Sequence, residues 1–317
     1  MIHTIAFYNV ENFYVGFDDK NSINKNTYTF SGKRSWTRTR YINKLHRITK
    51  TLGLIGREET NNSPTIIGLC EIENNKVIKD LLDCFPNGEN YKYIHHDSLD
   101  ERGIDAAFLY NKKYFSLIDN DFIRIPVFNS EGIQEYTRDI IYVHGKLSKI
   151  PIYFFVLHLP SKRDQDKNKL KRIYILHKLR EKIDLIYKND SKANIVIMGD
   201  FNDNPEASYI YRELKCKMTI DKLSCDDFFN PFVNLYTNNK FSVVYKGKGM
   251  LFDQIIFSQS FFLNKTNTKY INSNVFNAPF LQDTERKKTG IPFRTYSGSR
   301  YLGGYSDHFP VYSLVEV

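Results

Sequence analysis

Ionisable and amide side chains recur in this chain where apolar, strand-like runs begin or end. The members of this set are Asn9, Glu11, Glu71, Asp105, His158, Asp200, Asn202, Asp253, Asp307 and His308. A carboxylate, amide or imidazole at the end of a buried strand costs desolvation free energy unless it is paired or bound to a metal. Because the pattern recurs along the whole chain, we expect these side chains to converge on one polar site.

The residue types in this set are those that hydrolysis of a phosphate ester requires. Carboxylate oxygens suit Mg²⁺, which keeps several waters and uses one or two protein carboxylates together with the substrate phosphate. Amides such as those of Asn9 and Asn202 donate hydrogen bonds to phosphoryl oxygens without adding charge, and an imidazole beside a carboxylate transfers protons near neutral pH. The set therefore predicts water attack on phosphorus, with Mg²⁺ as the expected cofactor and Mn²⁺ as the alternative.

Short runs of apolar, β-branched and aromatic residues predict the strands that carry these side chains. The predicted strands are residues 5–10, 65–70, 106–110, 140–147, 152–158, 194–198, 251–257 and 311–315. Amphipathic periodicity predicts helices over residues 40–54 and 168–187, and Asn204 followed by Pro205 predicts the start of a third helix.

The order of these elements predicts an α/β fold. Many strands follow one another without an intervening helix, which favours sheets packed face to face with helices outside over a simple βαβ alternation. No internal repeat and no Pro-, Gly- or Ser-rich linker divides the chain, so we expect a single domain over residues 1–317.

Composition limits the class of protein and its partners. The net charge of +9 favours a polyanionic partner such as nucleic acid or a phosphorylated ligand. No apolar stretch approaches the roughly 20 residues that cross a bilayer, and the N-terminus lacks a signal-peptide pattern, so stable membrane association is not expected. The cysteines form no C-x-x-C pair, which favours reduced thiols and a cytoplasmic location, and we expect a monomer.

The motifs, taken in order, resemble those of the endonuclease/exonuclease/phosphatase superfamily, which includes deoxyribonuclease I-like nucleases, abasic-site endonucleases, sphingomyelinases and inositol phosphatases. The matching segments are Asn9-Val10-Glu11-Asn12, Glu71, His158, Gly199-Asp200-Phe201-Asn202, Asp253 and Ser306-Asp307-His308. The resemblance covers residues 9 to 308 and is greatest to uncharacterised bacterial members. It implies a four-layer α/β sandwich, in which two packed, mostly antiparallel sheets are flanked by helices.

The resemblance also implies roles for the matched residues at the reacting phosphate. Asp200 would orient or deprotonate the attacking water, while Asn202 and Asn9 would hold the phosphate. Metal binding is implied for three carboxylates, namely Glu71 as the principal ligand, Glu11 and Asp307.

Two histidines complete the implied site, each with a proposed carboxylate partner. His308, held by Asp253, would contact the phosphate and stabilise charge in the transition state. His158, oriented by Asp105, would serve a second proton-transfer or phosphate-binding role. Both pairings are hypotheses that the geometry of the folded chain can test.

Polar and basic residues near the motifs are candidates for binding phosphates that flank the reacting one. These substrate-binding candidates are Arg102, Ser161, Lys162, Arg163 and Arg300. Tyr296 and Tyr301 are candidates for stacking on bases, a contact worth roughly 1–3 kcal/mol per base. The expected function is therefore hydrolysis of phosphodiester bonds in DNA or RNA.

Two other functions remain open. A phosphatase or phospholipase C-like enzyme would act on small or lipid phosphoesters, and a membrane-docking form would need an exposed apolar segment, for which residues 261–263 are the candidate. A catalytically inactive module could instead bind nucleic acid with the same basic face. The intact set of acidic, amide and imidazole residues favours an enzyme over such a module.

Overall fold

The computed structural model describes residues 1–16, 28–29, 32–129, 131–162, 166–221, 223–263, 267–284 and 290–317. In chain order its strands are β1 (Ile2–Phe13), β2 (Ile66–Ile72), β3 (Tyr91–His95), β4 (Asp105–Asn111), β5 (Phe115–Ile123), β6 (Val127–Phe128), β7 (Gln134–Glu135), β8 (Ile140–Leu147), β9 (Ile150–His158), β10 (Ile195–Asp200), β11 (Cys216–Lys217), β12 (Phe228–Phe229), β13 (Val243–Tyr245), β14 (Lys248–Met250), β15 (Asp253–Ser258), β16 (Lys269–Val275), β17 (Gln282–Asp283), β18 (Ile291–Pro292), β19 (Tyr296–Ser297), β20 (Arg300–Tyr301) and β21 (Val311–Glu316).

The helices of the described ranges are α1 (Arg38–Leu54), α2 (Arg57–Thr60), α3 (Asn75–Cys84), α4 (Lys169–Asn189), α5 (Ser208–Leu214) and α6 (Phe232–Thr237). Short 3₁₀ turns cover Gly88–Asn90, Gln259–Phe262 and Pro279–Leu281. No helix within these ranges combines the length and the apolar character that a membrane crossing requires.

Two large sheets form the centre of the molecule. The first has six strands in the order β16-β21-β1-β2-β4-β3, and its pairs are antiparallel except β1–β2. The second has seven strands in the order β11-β12-β15-β10-β9-β8-β5, antiparallel except for β9–β10 and β11–β12. The expected pair of mostly antiparallel sheets is confirmed.

Side-chain alternation along single strands explains how the layers pack. In β1, Phe7 enters the core between the two sheets, whereas Tyr8 packs on the other face beneath α1 and α3. In β10, Met198 enters the same central core and Ile197 packs against α4 and α5. Since successive strand residues point to opposite faces, such runs bury apolar side chains on both sides of each sheet. The result is the predicted four-layer sandwich of helices, sheet, sheet and helices.

Each predicted strand is present: β8 has the predicted ends and the other strands have shifted ones. The starts of α1 and α5 also differ from expectation. Helix α1 begins at Arg38, because the Thr37 side chain caps it by accepting a hydrogen bond from the Arg40 N–H at 3.3 Å. The third helix begins at Ser208 rather than Pro205. Asn204 does not cap it; its side-chain oxygen accepts from the Leu251 N–H at 3.0 Å and ties this loop to the segment between β14 and β15.

Candidate active site

Three of the predicted residues lie side by side across the second sheet. Strands β9 and β10 run parallel and end together, with His158 opposite Asp200. Strand β15 runs antiparallel and begins with Asp253 opposite Asp200. Gly199 allows this close approach, because a Cβ there would lie 2.1 Å from the Leu157 carbonyl oxygen. Strand register alone therefore brings these three side chains to one edge of the sheet.

The backbone turns sharply at three of the site residues. Glu11, Glu71 and Asn202 have φ angles of 53°, 66° and 50°. Such left-handed conformations cost a non-glycine residue about 1–3 kcal/mol and persist where the surroundings hold them. Asn202 is held by its side-chain amide, which donates to the Leu159 carbonyl at 2.9 Å. Glu71 is held by the N–H of Asn12, which donates to its carboxylate at 2.7 Å.

The predicted pairing of His308 with Asp253 is present. His308 Nδ1 lies 2.6 Å from Asp253 Oδ2, and the Asp253 side chain has no solvent exposure. Burial alone would lower the pKa of His308, but the charge and hydrogen bond of Asp253, with the charges of Asp200 and Asp307, together raise that pKa to about 10. His308 is therefore a buried cation at neutral pH, next to the edge where the strands end.

Asp200 is oriented on both of its carboxylate oxygens. Asn9 Nδ2 donates to Asp200 Oδ2 at 3.0 Å, and the Asn202 N–H donates to Oδ1 at 2.8 Å. Burial, with a further contribution from the charge of Asp253, raises the pKa of Asp200 to about 7 against the opposing effect of His308. A carboxylate with a pKa in that range can exchange a proton near neutral pH.

Glu71 is an ionised carboxylate on the first sheet. Its Oε1 lies 3.2 Å from Arg102 Nη2, and the same nitrogen donates to Asn12 Oδ1 at 2.9 Å. Burial alone would raise the pKa of Glu71, but neighbouring positive groups, above all Arg102, hold it well below its usual range. Glu71 is therefore available as a negatively charged oxygen ligand at neutral pH.

His158 lies between the carboxylates without a hydrogen bond to either. Its Nε2 is 3.6 Å from Asp200 Oδ2 and 4.0 Å from Glu71 Oε1. These are ion-pair distances only for a charged imidazole, and burial, reinforced by Arg138, holds the pKa of His158 well below its usual range. His158 is therefore a neutral imidazole, and its Nδ1 has no hydrogen-bond partner among the described residues.

The expected pairing of Asp105 with His158 is wrong. The Asp105 carboxylate instead accepts hydrogen bonds from the Ser98 N–H, at 3.0 Å, and from the Ser98 hydroxyl. These bonds close the loop of residues 98–105, which carries Arg102. Asp105 thus stabilises its own loop, and that loop places Arg102 at the site.

Glu11 also differs from its predicted role as a metal ligand. Its carboxylate accepts hydrogen bonds from the backbone N–H groups of Thr295 and Tyr296, at 2.6 and 3.3 Å. Burial, reinforced by the charge of Asp307, raises the pKa of Glu11 to about 7. Glu11 fastens residues 295–296 to the end of β1 and does not line the cleft that holds the other site residues.

Most of the predicted site residues surround a cleft of about 170 Å³ where the two sheets meet. The predicted residues that line it are Asn9, Glu71, Arg102, His158, Ser161, Lys162, Asp200, Asn202, Asp307 and His308. Asp307, a predicted metal ligand, forms a 3.0 Å ion pair with Arg294 at its edge. The structure thus brings together residues from both sheets that lie up to 299 positions apart in the sequence, from Asn9 to His308.

The other substrate-binding candidates have mixed outcomes. Ser161 and Lys162 line the cleft, where the Lys162 ammonium pairs with Asp203. Arg300 is exposed on β20 and is not a cleft residue, so the structure does not bring it to the site. Arg163 lies outside the described residues.

The two tyrosines proposed to stack on bases are engaged within the protein. Tyr296 is 3% exposed and packs against Trp36 and Tyr28, at centroid distances of 6.0 and 6.2 Å. The Arg40 guanidinium covers the Tyr301 ring at 4.3 Å. The buried Tyr296 ring cannot stack on a base, so that part of the expectation is wrong.

An apolar wall of the cleft was missed in the sequence. It comes from the hairpin β13–β14, whose Val243, Val244 and Tyr245 line the cleft. An isolated bridge joins Val243 to His308, and the Tyr245 hydroxyl donates to the Lys162 carbonyl at 2.7 Å. Neither contact leaves a signal in residue types, because both depend on how distant loops pack.

Hard oxygen donors at the cleft fit a divalent cation such as Mg²⁺. Glu71, Asp200 and Asp307 all line it, and carboxylates are the ligands that Mg²⁺ prefers. Two tighter groups of possible ligand atoms also occur, each within 4.8 Å: one is Cys70, His158 and Asp200, the other Asp200, Asp253 and His308. Burial holds the Cys70 pKa well above its usual range, and His308 is bound to Asp253, so neither group suits Mg²⁺ as well as the oxygen set.

Comparisons with known proteins identify the family of the chain. The family model described as "Endonuclease/Exonuclease/phosphatase family" matches residues 4–317. No curated protein sequence matches the chain.

Solved structures share the fold at low identity. D. rerio TDP2 complexed with single strand DNA product is 12% identical, with a TM-score of 0.58 over 100% of this chain and 99% of that one. A mannosyl-6-phosphatase of Bacteroides thetaiotaomicron is 15% identical, with a TM-score of 0.55 over 99% and 100% of the two chains. An endonuclease/exonuclease/phosphatase from Bacteroides vulgatus is 13% identical, with a TM-score of 0.57 over 100% and 99%. Because the family model covers nearly the whole sequence, the chain belongs to the endonuclease/exonuclease/phosphatase family of phosphoester hydrolases.

Proposed function

We propose that this enzyme is a Mg²⁺-dependent phosphodiesterase that hydrolyses DNA or RNA. The observation that carries the proposal is the charge arrangement of one cleft: an ionised Glu71, an Asp200 whose pKa is about 7, and a cationic His308. A negative ligand, a proton acceptor near neutrality and a fixed positive charge are the groups that water attack on phosphorus needs.

Each protein group has a separate task in this proposal. Glu71 would hold the cation, with Asp307 as the second carboxylate; when bound, the cation polarises phosphoryl oxygens and offsets their charge. Asp200 accepts a proton from the attacking water at a carboxylate oxygen, and its bond from Asn9 keeps it oriented. The His308 imidazolium donates to a phosphoryl oxygen and stabilises the charge that develops there.

Basic groups at the cleft favour nucleic acid over a small phosphoester. Arg102, Lys162 and Arg294 line it, and the whole chain carries a net charge of +9. Docking to a lipid surface is disfavoured, because Phe261 in the candidate apolar segment is 1% exposed and packs on Phe257. The neighbours include a DNA-bound TDP2 and a sugar-phosphate phosphatase, so both substrate classes are compatible with this fold.

The proposal also includes a monomeric, single-domain enzyme of the cytoplasm. All four cysteines are free thiols, which supports a reducing compartment.

A substrate panel tests the proposal. Single-stranded DNA, plasmid, abasic duplex, RNA, sphingomyelin, inositol phosphates and mannose 6-phosphate are each incubated with Mg²⁺ and with EDTA. Cleavage of nucleic acid that requires Mg²⁺ is expected. Turnover of a lipid or a phosphomonoester without cleavage of any nucleic acid would contradict the proposal that nucleic acid is the substrate. If no phosphoester were turned over, the proposed hydrolysis itself would be contradicted.

Asp200→Asn and Asp119→Asn make a matched pair for this panel. Both remove one carboxylate, but Asp119 is exposed on the edge strand β5. We expect Asp200→Asn to lose turnover on the order of 10²-fold or more, because it removes the proton acceptor, and Asp119→Asn to match the unaltered protein.

A further inference from the structure

A second pocket, of about 390 Å³, adjoins the catalytic cleft. Arg102 and Ser161 line both spaces, so the pocket and the cleft are neighbours that share these two residues. Its other walls are the loop before β8, which carries Arg138, and the beginning of α4, which carries Lys171. A substrate group attached to the reacting phosphate could therefore extend into this pocket.

Arg138 lies in this pocket with unused hydrogen-bond donors. Its side chain is 5% exposed, and among the described residues neither Nε nor Nη2 has a hydrogen-bond partner. Asp100 Oδ2 is 3.4 Å from Nε and supplies charge at ion-pair distance without a hydrogen bond. A buried guanidinium carries five N–H donors in a fixed planar array, and leaving donors unmet in a protein interior is unfavourable. Its geometry fits a bidentate oxyanion.

The pocket has a small excess of positive charge. Four basic residues line it against three acidic ones, the basic set being Arg102, Arg138, Lys167 and Lys171. The acidic residues are Asp100, Glu101 and Glu135, and two of them already have cationic partners, since Asp100 faces Arg138 and Glu135 pairs with Lys171.

We propose that this pocket binds a second phosphate group of the substrate, with Arg138 as its principal donor and Lys171 at its rim. The inference rests on the proposed function, because it concerns a substrate whose first phosphate reacts in the cleft. The shared chemistry is a phosphate oxyanion, which a neighbouring nucleotide of a strand or the second phosphate of a sugar bisphosphate could supply.

Binding without turnover tests the second-phosphate pocket. In EDTA, isothermal titration compares a nucleoside monophosphate, the matching nucleoside bisphosphate, a dinucleotide with a terminal phosphate, and a sugar bisphosphate. We expect the second phosphate to tighten binding on the order of tenfold in the unaltered enzyme, and by less than about twofold in Arg138→Gln. A dinucleotide preference would identify a strand as the source, and a sugar bisphosphate preference a small molecule.

Arg212→Gln is the matched control, since the Arg212 side chain is 67% exposed on α5 and outside both pockets. If circular dichroism shows that Arg138→Gln is unfolded, Lys171→Gln decides, and it should reduce the second-phosphate preference severalfold. Equal affinities for mono- and bisphosphates in the unaltered enzyme would overturn the proposal that this pocket binds a second phosphate. An unchanged preference for the bisphosphate in the deciding variant would overturn it as well. Failure to hydrolyse any phosphoester, with the binding preference intact, would instead overturn only the proposed function.

Discussion

At the scale of single residues, the cleft depends on how burial and neighbouring charge divide protons among its groups. Burial opposes charge on both histidines, yet only His308 has a carboxylate at 2.6 Å to outweigh that cost. His158, which has no such bond, is neutral. Both imidazoles line one cleft and yet differ in charge: His308 is paired with Asp253, whereas Arg138 and Arg102 add to the effect of burial on His158.

Asp253→Asn tests that difference. The pKa of His308 is about 10 in the intact protein. Removing the Asp253 carboxylate should lower it, because burial disfavours the charged imidazole and the negative charge that most offsets this effect is gone. The cation is present below its pKa and is lost as pH rises through it, so the alkaline limb of the pH–rate profile should move to lower pH. We expect kcat to fall on the order of 10²-fold. An alkaline limb that stays in place would show that His308 does not act as the cation.

Asp105→Asn tests whether Asp105 acts on His158, as the sequence had suggested. Because the Asp105 carboxylate bonds only with Ser98 among the described hydrogen bonds, the shape of the pH–rate profile should be retained. Weakening these buried bonds should lower the free energy of unfolding by about 1–3 kcal/mol, measured by urea denaturation. A profile changed like that of Asp253→Asn would restore the pairing with His158.

At the scale of elements, strand register builds the site. The parallel pair β9–β10 and the antiparallel pair β10–β15 fix three polar residues in a row, and the close passage of β10 past β9 leaves no space for a side chain at Gly199. Asp200 follows that glycine directly. Its position therefore depends on backbone packing one residue earlier.

Gly199→Ala should both destabilise the protein and reduce its activity. The new methyl group would overlap the Leu157 carbonyl oxygen at 2.1 Å, so β10 must shift. Overpacking of this kind typically costs about 1–3 kcal/mol, which urea denaturation measures, and the displaced Asp200 should lower kcat. Gly53→Ala in α1 is the control, because its Cβ would meet Pro86 at an ordinary 3.6 Å and alanine favours a helix by up to about 1 kcal/mol. Equal stabilities of the two variants would contradict the packing argument.

The same scale explains what could be predicted from the sequence. Apolar runs with polar ends predicted the strands, and those strands carry Asp200 and Asp253 to one edge as expected. Helix α3 was missed although Val77, Ile78 and Leu81 recur at helical spacing after the Asn74 cap, whereas the polar edge strand β5 had no comparably strong pattern. Contacts made by loops were not predictable either: Glu11 binds residues 295–296, a separation of 284 positions that no local pattern records. Arg138 was missed for the same reason, since only the packed fold shows that its donors lack partners.

At the scale of the whole molecule, His3 forms polar contacts at the end of β1 that lies away from the cleft. His3 Nδ1 lies 3.0 Å from Thr65 Oγ1, and Nε2 lies 2.9 Å from Ser148 Oγ. These contacts join β1 to the start of β2 and to the turn between β8 and β9, so both sheets are tied together away from the cleft. Burial lowers the pKa of His3 from 6.5 to about 4.

The burial of His3 predicts a pH dependence of the free energy of unfolding. The unfolded chain binds a proton at His3 as pH falls below 6.5, whereas the folded chain resists it down to about pH 4. The contribution of His3 is therefore complete above pH 6.5 and is lost progressively between pH 6.5 and 4. Urea denaturation across that range should show a smaller loss for His3→Gln, which cannot titrate, than for the unaltered protein. Parallel curves for the two proteins would contradict this assignment.

In the proposed function, one cleft between the two sheets hydrolyses phosphate esters with a divalent cation and Asp200. The most direct measurement is the rate of cleavage of a labelled single-stranded oligonucleotide with Mg²⁺, with EDTA, and by Asp200→Asn with Mg²⁺. We predict cleavage in the first condition and losses on the order of 10²-fold or more in the other two. Undiminished cleavage in EDTA, or by Asp200→Asn, would contradict the claim.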